Sequence, residues 1–288
     1  MPDKAQVTIC EVGPRDGLQN EQTFVSTEDK VHLINLLSAT GLSYIEAASF
    51  VSPKWVPQMA DGRDVLARIT RQKGIVYAAL TPNLRGYEDS LKAGVNEVAI
   101  FASASETFSR KNINQSIDES LTRYTEICKR AQVNRIPVRG YVSCVVACPY
   151  EGPVTPNAVR QVATSLFRMG CREISLGDTI GVATPGDITA LLDVILAEIP
   201  AEKIAGHFHD TSGRALDCIT ASLDRGVRIF DASVGGAGGC PFAPGAKGNV
   251  ATHEVAQILE TKGFTTGINA RALQDATNFV VQILGRST

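Results

Sequence analysis

Residues 173–210 read EISLGDTIGVATPGDITALLDVILAEIPAEKIAGHFHD, and they contain the clearest repeating unit of the chain. A short apolar run at 173–176 precedes a longer segment with helical spacing at 185–198, and a second short run follows at 204–207. This order is typical of two parallel strands that are joined by a crossover helix. The stretch therefore predicts one strand–helix–strand unit of a parallel sheet.

The same alternation recurs along the whole chain. Eight strands are predicted, at residues 7–12, 43–47, 75–80, 97–101, 138–143, 173–176, 204–207 and 229–232. Helices are predicted after the first seven, at residues 27–39, 61–70, 84–92, 116–132, 157–169, 185–198 and 213–225. Eight such units favour a closed (β/α)8 TIM barrel over an open doubly wound sheet, because the open sheet usually has fewer strands and a phosphate-binding glycine loop after the first strand.

The predicted organisation is one TIM-barrel domain of the α/β class over residues 1–288. The barrel is expected to take up about residues 1–250, and two extra helices at 252–263 and 270–284 form a C-terminal part over 251–288. A length of 288 residues fits, since one barrel typically needs about 250. The extra helices would cover a face of the barrel or contact a second subunit.

Composition narrows the class of partner. The formal net charge is −2 and charges are spread along the chain, so neither nucleic acid nor an acidic membrane surface is an expected partner. No segment approaches the roughly 20 consecutive apolar residues of a membrane span. Seven cysteines without framework spacing favour free thiols, and the first residues lack a secretory or transit pattern, so the predicted location is the cytoplasm. A small-molecule substrate is expected.

Polar side chains gather where the predicted strands end. They are Arg15, Asp16 and Gln19 after the first strand, Glu46 after the second, Tyr141 after the fifth, Ser175, Asp178 and Thr179 after the sixth, His207 and His209 at the seventh, and Cys240 and Asn249 after the eighth. Barrel enzymes hold their active sites at the carboxyl ends of the strands, so a barrel would bring these distant residues to one mouth.

The pair His207 and His209 is the sharpest local feature. In an extended segment, side chains two residues apart point the same way and can bind one metal ion. Two histidines with purely structural hydrogen bonds are the alternative, but half of the four histidines lie at this one strand end. Asp16 would add an oxygen ligand, and a mixed nitrogen and oxygen site suits Mg²⁺ or Mn²⁺ better than a structural zinc.

Arg15 and Cys240 are the candidates for chemistry beside the metal. Arg15 next to Asp16 would be a plain surface ion pair elsewhere, but its position in a turn fixed by Gly13, Pro14 and Gly17 at a strand end favours stabilisation of an oxyanion. Cys240 follows a stretch with four glycines in five residues, which is typical of a mobile loop that approaches a ligand. The alternative for Cys240 is a chance thiol in a flexible turn.

Residues 11–20, EVGPRDGLQN, resemble the opening signature of the 3-hydroxy-3-methylglutaryl-CoA lyase family. Similar segments of that family are matched by SFVSPKWVPQM at 49–59, GYVSC at 140–144, CPYEG at 148–152, ISLGDTIG at 174–181 and GGCPFA at 238–243. The resemblance runs from about residue 7 to the last helix, which makes it more specific than any one short motif. Phe208, between the two histidines, replaces a residue that is often small in the family.

The resemblance implies a TIM-barrel carbon–carbon lyase that splits an acyl-CoA substrate with a divalent cation, and it suggests a homodimer. By the same resemblance, the cation would bind Asp16, His207, His209 and Asn249, the catalytic residues would be Arg15, Cys240, Glu46 and His207, and Gln19, Tyr141, Ser175, Asp178 and Thr179 would line the pocket with Arg15. Lys111 and Asn112, in the loop expected after the fourth strand, would lie toward the CoA part.

The implied reaction is a retro-Claisen cleavage of 3-hydroxy-3-methylglutaryl-CoA into acetyl-CoA and acetoacetate. His207, Asp16 and Cys240 are all candidates for removing the hydroxyl proton. Three alternatives stand beside this interpretation: a lyase for a related 3-hydroxyacyl-CoA, a barrel enzyme that condenses acetyl-CoA with a 2-oxo acid, and a barrel that only binds CoA esters. The short length and the Gly-Gly-Cys-Pro segment disfavour the condensing enzymes, and the intact site residues disfavour the binding protein.

Overall fold

A computed structural model describes residues 5–239 and 247–286 and shows a closed barrel of parallel strands. Its strands are β1 (Thr8–Glu11), β2 (Tyr44–Ser49), β3 (Val76–Leu80), β4 (Glu97–Ser103), β5 (Val138–Ser143), β8 (Glu173–Asp178), β9 (Ile204–Phe208) and β10 (Ile229–Ala232), and a small hairpin pairs β6 (Ala147–Cys148) with β7 (Gly152–Pro153). The barrel strands follow one another in chain order, and β10 pairs with β1. The predicted (β/α)8 barrel is confirmed.

Helices surround the barrel. In the described residues they are α1 (Thr27–Ser38), α2 (Gly62–Arg68), α3 (Leu84–Lys92), α4 (Glu106–Ile113), α5 (Ile117–Asn134), α6 (Pro156–Arg168), α7 (Pro185–Ile195), α8 (Ala215–Asp224), α9 (Thr252–Thr261) and α10 (Ala270–Ile283). The Ser26 side chain caps α1 by accepting from the Asp29 N–H at 3.1 Å. None of these helices is both long and apolar enough to cross a membrane.

The two C-terminal helices take different positions. Helix α9 follows the last barrel strand, and the Thr252 hydroxyl at its start donates to Glu11 of β1 at 2.7 Å. Helix α10 lies on α1, where the His32 and Phe279 rings meet edge to face with centroids 4.6 Å apart. Helix α9 thus stands where the eighth helix of a barrel belongs, whereas α10 is additional.

Helix α4 corrects one expectation. The segment after β4 was expected to be a loop, but Glu106–Ile113 forms two helical turns, so Lys111 and Asn112 lie on a helix. The Ser105 hydroxyl accepts from the Phe108 N–H at 3.0 Å, which caps the helix, and Phe108 is buried. The pattern is weak because the helix is only eight residues long and largely polar.

The barrel interior carries charge where many barrels are apolar. Arg139, Glu173 and Asp231 are all buried, on β5, β8 and β10, and the Arg139 side chain is fully buried. Layers of branched apolar residues usually fill this space. Here Glu173 begins β8 and Arg139 is close to the start of β5, so the charged group extends from the amino ends of these strands to Asp231, which is paired with His207.

Glu11 ties three segments together at the end of β1. One carboxylate oxygen accepts from the N–H groups of Gly13 at 2.8 Å and Val234 at 2.9 Å, and the other accepts from the Thr252 hydroxyl. Burial raises the pKa of Glu11 to about 7, although these three hydrogen bonds oppose the shift. Glu11 therefore holds its proton in the folded chain at pH values where an exposed glutamate has lost it.

We expect the wild type to lose stability relative to Glu11→Gln as the pH rises from about 5 to about 8. The folded chain binds more protons than the unfolded chain in this window, so the free energy of unfolding falls with rising pH, by on the order of 3 kcal/mol in all. Denaturant midpoints of both proteins across the window test this. Parallel curves would contradict a raised pKa at Glu11.

Candidate active site

A single π-helical turn, Gly13–Gly17, follows β1 and places Arg15 and Asp16 at the barrel mouth. The N–H groups of Arg15, Asp16 and Gly17 all donate to the Val12 carbonyl, at 3.2, 2.7 and 3.1 Å. Gly17 is required by close packing, because a Cβ there would lie 2.6 Å from the Ser233 hydroxyl. The turn is therefore held between strands β1 and β10.

Strand β9 places His207 in the barrel interior by alternation. Its neighbours face the other way, where Phe208 is buried and a Cβ on Gly206 would lie 2.6 Å from the Phe208 ring. A large side chain is therefore accommodated next to His207 because residue 206 is glycine.

Asp16, His207 and His209 form a group that could hold a metal ion. Each offers one ligand atom, and these atoms lie within 4.8 Å of one another. Nε2 of His207 is 3.9 Å from Oδ2 of Asp16, and Nδ1 of His209 is buried without a hydrogen-bond partner in the described part of the chain. An imidazole nitrogen left in this way fits a cation, which would complete its environment.

The pKa shifts of Asp16 and His209 favour the forms that bind a cation. Burial opposes ionisation of Asp16, but Arg15 and the two histidines hold the pKa of its carboxyl well below the usual range. Burial and the neighbouring His207 lower the pKa of His209 to about 4. Asp16 and His209 are thus held in the forms that bind metal. Burial lowers the pKa of His207, but Asp231 and Asp16 raise it above its usual value, so a cation at His207 must displace a proton.

Asn249 lies beside this group. Its Nδ2 donates to Oδ2 of Asp16 at 2.8 Å, and its backbone pairs with His209 in an isolated antiparallel bridge. The structure thereby brings all four residues that the resemblance implies as ligands to one place. Their role as ligands stays a prediction.

Arg15 is fixed from two sides. Nη1 donates to Oδ1 of Asp16 at 2.6 Å, and Nε donates to Oε2 of Glu46 at 2.7 Å. The Tyr141 hydroxyl donates to the same Glu46 oxygen at 3.2 Å, and the Arg15 guanidinium lies 5.6 Å from the Tyr141 ring centroid. Arg15 is only 5% exposed, so its orientation toward the mouth is set by buried partners.

Several predicted pocket residues lie within strands or hold the backbone. Glu46 and Ser175 lie within β2 and β8, inside the predicted strand bounds, and Asp178 also belongs to β8, because that strand extends further than the sequence suggested. Oδ2 of Asp178 accepts from the Ala183 N–H at 2.8 Å, while its Oδ1 is buried without a hydrogen-bond partner among the described residues. The Thr179 hydroxyl accepts from the backbone N–H after β5, at 2.8 Å.

The remaining predicted residues are less closely grouped. The side-chain oxygen of Gln19 is buried without a hydrogen-bond partner in the described ranges. Lys111 and Asn112 are exposed on α4, and the Lys111 ammonium lies 3.8 Å from the Tyr150 ring centroid. Cys240 lies outside the residues that the structure describes.

Sequence reasoning missed Arg139 and Asp231. Oδ2 of Asp231 lies 3.0 Å from Nδ1 of His207 and accepts from the Ser175 hydroxyl at 2.8 Å, and Arg139 binds the Asp231 carboxylate with two nitrogens. One signal was available: Arg139 stands two residues before Tyr141 on one strand, so alternation places both on the interior face.

The fold and these residues define the class: a (β/α)8-barrel protein with a candidate Asp–His–His metal centre and a buried arginine at the carboxyl ends of its strands. The HMGL-like family model matches residues 6–280. The chain belongs to the HMGL-like family.

Relatives cover almost the whole chain. A Pseudomonas aeruginosa protein named 3-hydroxy-3-isohexenylglutaryl-CoA/hydroxy-methylglutaryl-CoA lyase is 52% identical over 98% of this chain and 94% of its own length. The human mitochondrial hydroxymethylglutaryl-CoA lyase is 53% identical over 98% of this chain and 87% of its own length. The crystal structure of the HMG-CoA lyase from Brucella melitensis has a TM-score of 0.97 and 54% identity, covering 98% of this chain and 99% of that one.

We expect the substitution Asp16→Asn to weaken divalent-cation binding by about 10-fold or more, because it removes the charged oxygen ligand. The melting temperature of metal-free protein should rise on addition of Mn²⁺ in the wild type and much less in the variant. Asp187→Asn, at the start of α7, is a control that leaves the site intact. An equal rise in all three proteins would exclude Asp16 as a ligand.

Proposed function

We propose that this protein is a divalent-cation-dependent lyase that cleaves 3-hydroxy-3-methylglutaryl-CoA to acetyl-CoA and acetoacetate. The observation that carries the proposal is the meeting of Arg15 with the Asp16–His207–His209 group at one barrel mouth. This geometry occurs in a chain that is 52–54% identical, over almost its full length, to proteins named as lyases for this substrate.

The ligand set supports Mg²⁺ or Mn²⁺ as the cofactor. Asp16, His207, His209 and, by the resemblance, Asn249 would hold the cation through oxygen and imidazole nitrogen, which suits these ions. A bound cation supplies a Lewis-acidic charge for the hydroxyl and carboxylate oxygens of the substrate.

Arg15 stabilises negative charge on the thioester oxygen in this proposal. Nε and one N–H of each terminal nitrogen, Nη1 and Nη2, are used by the contacts to Asp16 and Glu46. The second N–H of Nη1 and that of Nη2 remain for a ligand. The guanidinium cannot lose its proton near neutral pH, and its fixed orientation requires little rearrangement as charge develops. Glu46 acts here by orienting Arg15.

Cys240 is proposed as the group that protonates the departing acetyl-CoA enolate. Gly238, two residues earlier in the sequence, is held by Glu21, whose carboxylate accepts from its N–H at 2.7 Å. The Gly238 carbonyl in turn accepts from the Asn249 N–H at 3.3 Å. The described part of this segment is thus attached beside the candidate metal ligands.

The acyl group is the part of the substrate for which there are two candidates. The Pseudomonas relative is named for a long apolar substituent as well as for the methyl group. In this chain, Leu80, Ala99 and Tyr141 form an apolar cluster on β3–β5, with Val51 and Phe101 packed against it. Because this apolar surface faces the barrel interior, a lyase for a longer 3-hydroxyacyl-CoA is the second candidate function.

The cytoplasmic location and the homodimer are also proposals. The six cysteines that the structure describes are all unpaired, as a reducing compartment favours. The human relative is named as mitochondrial, so membership of the family does not by itself select the cytoplasm. The support for a homodimer is the resemblance to the lyase family and the additional helix α10.

We expect wild-type protein to form acetoacetate from 3-hydroxy-3-methylglutaryl-CoA with Mg²⁺ or Mn²⁺ and to stop when the cation is chelated. Arg15→Lys should lower kcat by about 100-fold or more, since an ammonium cannot replace the fork that meets Glu46 and a developing oxyanion. Arg172→Lys is the matched control, because Arg172 is also paired with carboxylates but lies before β8, at the opposite end of the barrel.

The assay separates the two candidate substrates. Product from the methyl substrate alone supports the first, and faster turnover of 3-hydroxy-3-isohexenylglutaryl-CoA would favour the second. If folded, cation-loaded protein cleaves neither, the lyase proposal is wrong.

For Cys240→Ala, we expect kcat to fall by about 100-fold or more, with cation binding unchanged, because a proton donor is lost and no ligand is removed. Cys128→Ala, on helix α5, is the matched control. Full turnover in Cys240→Ala would remove the thiol from the mechanism.

A further inference from the structure

Asp231 is a buried carboxylate with no role in the lyase proposal as it stands. Strands β9 and β10 are parallel, and their register pairs Asp231 with His207, so both side chains point into the barrel at one level. Oδ2 of Asp231 lies 3.0 Å from Nδ1 of His207 and accepts from the Ser175 hydroxyl at 2.8 Å. The carboxylate is fully buried, and its contacts occupy the ring nitrogen of His207 that faces away from Asp16.

Arg139 fixes the orientation and charge of Asp231 from across the barrel. Its Nη2 donates to Oδ1 at 2.7 Å and its Nη1 to Oδ2 at 3.1 Å, in the two-pronged arrangement typical of arginine and carboxylate. Both side chains are fully buried, and a carboxylate that is paired with a buried guanidinium in this way is ionised. An ionised carboxylate can only accept hydrogen bonds, so Nδ1 of His207 must be the donor.

We propose that Asp231, held by Arg139, is a positioning residue that keeps His207 in the tautomer with hydrogen on Nδ1 and the lone pair of Nε2 directed at the cation. The inference rests on the proposed metal site. A neutral imidazole has one nitrogen of each kind, so a fixed acceptor at Nδ1 determines that Nε2 is the ligand atom. Nε2 lies 3.9 Å from Oδ2 of Asp16, on the side where the cation would bind.

An alternative role for Asp231 is only to neutralise the buried charge of Arg139. Glu173 offers a test of it, because its Oε1 accepts from Nε of the same Arg139 at 2.6 Å and it is equally buried. Glu173 interacts with Arg139 and Arg172, whereas Asp231 also reaches His207. A role in positioning His207 therefore belongs to Asp231 and not to Glu173.

The test compares Asp231→Asn with Glu173→Gln in the full chain, without substrate. Free Mn²⁺ is measured by electron paramagnetic resonance during titration, and histidine tautomers are read from ¹⁵N chemical shifts of metal-free protein. His32 and His253 are exposed and serve as internal references. In Asp231→Asn the asparagine amide can donate an N–H to Nδ1 of His207, which would leave the ring hydrogen on Nε2. The variant should therefore change the His207 tautomer and weaken Mn²⁺ binding by about 10- to 100-fold.

The expected result for Glu173→Gln is less than about 3-fold weaker binding and an unchanged His207 tautomer. Equal losses of Mn²⁺ affinity in both variants, or an unchanged tautomer in Asp231→Asn, would overturn the proposal. If Asp231→Asn does not fold, the tautomer of the wild type is the test. At a pH where metal-free His207 is neutral, hydrogen on Nε2 instead of Nδ1 would contradict the proposal. Absent lyase turnover would contradict the proposed function but would leave these binding and tautomer measurements intact.

Discussion

The structure depends on keeping the guanidinium of Arg139 fully paired at the centre of the barrel. A buried charge without partners costs several kcal/mol, and removing one partner of such a pair typically costs about 3–5 kcal/mol. Arg139 meets this constraint with Glu173, Tyr141 and Asp231, contributed by three strands. The registers of β5, β8 and β10 must therefore agree, because a shift of one residue would turn a partner out of the interior.

The same guanidinium connects the two halves of the candidate site. Through Asp231 it reaches His207, and through the Tyr141 hydroxyl it reaches Glu46 and hence Arg15. Most of the supporting groups stand on strands, whose backbone is fixed by the ladder. Arg15 and Asp16 instead stand on the π-helical turn, which places two adjacent side chains at the mouth at once.

Much of this arrangement could be predicted from sequence because strand alternation and barrel closure are local, repeated rules. They were sufficient for the barrel and for the gathering of Arg15, Asp16, His207 and His209. The predicted carboxyl ends of β2 and β8 come too early in the chain, because the last residue of each strand is polar and such residues are typical of loops. Helix α4 was missed because a helix of eight mostly polar residues has almost no apolar stripe.

The charged interior was the harder part to predict. Arg139 and Asp231 are 92 residues apart, and an isolated arginine in a strand usually indicates an edge or a surface. Only the closed barrel shows that the two side chains form a buried ion pair. The likeness of the chain to a known family also says nothing by itself about which buried groups orient the ligands.

The close contact between Gly206 and Phe208 has a consequence for how this protein can change over evolutionary time. A methyl group at position 206 would overlap the Phe208 ring, so the two positions flank His207 as a matched pair of small and large volumes. A larger residue at 206 is tolerable only after Phe208 has been replaced by a smaller one. The order of substitutions is thus constrained, and the two positions should covary among descendants of this chain even though neither belongs to the Asp16–His207–His209 group.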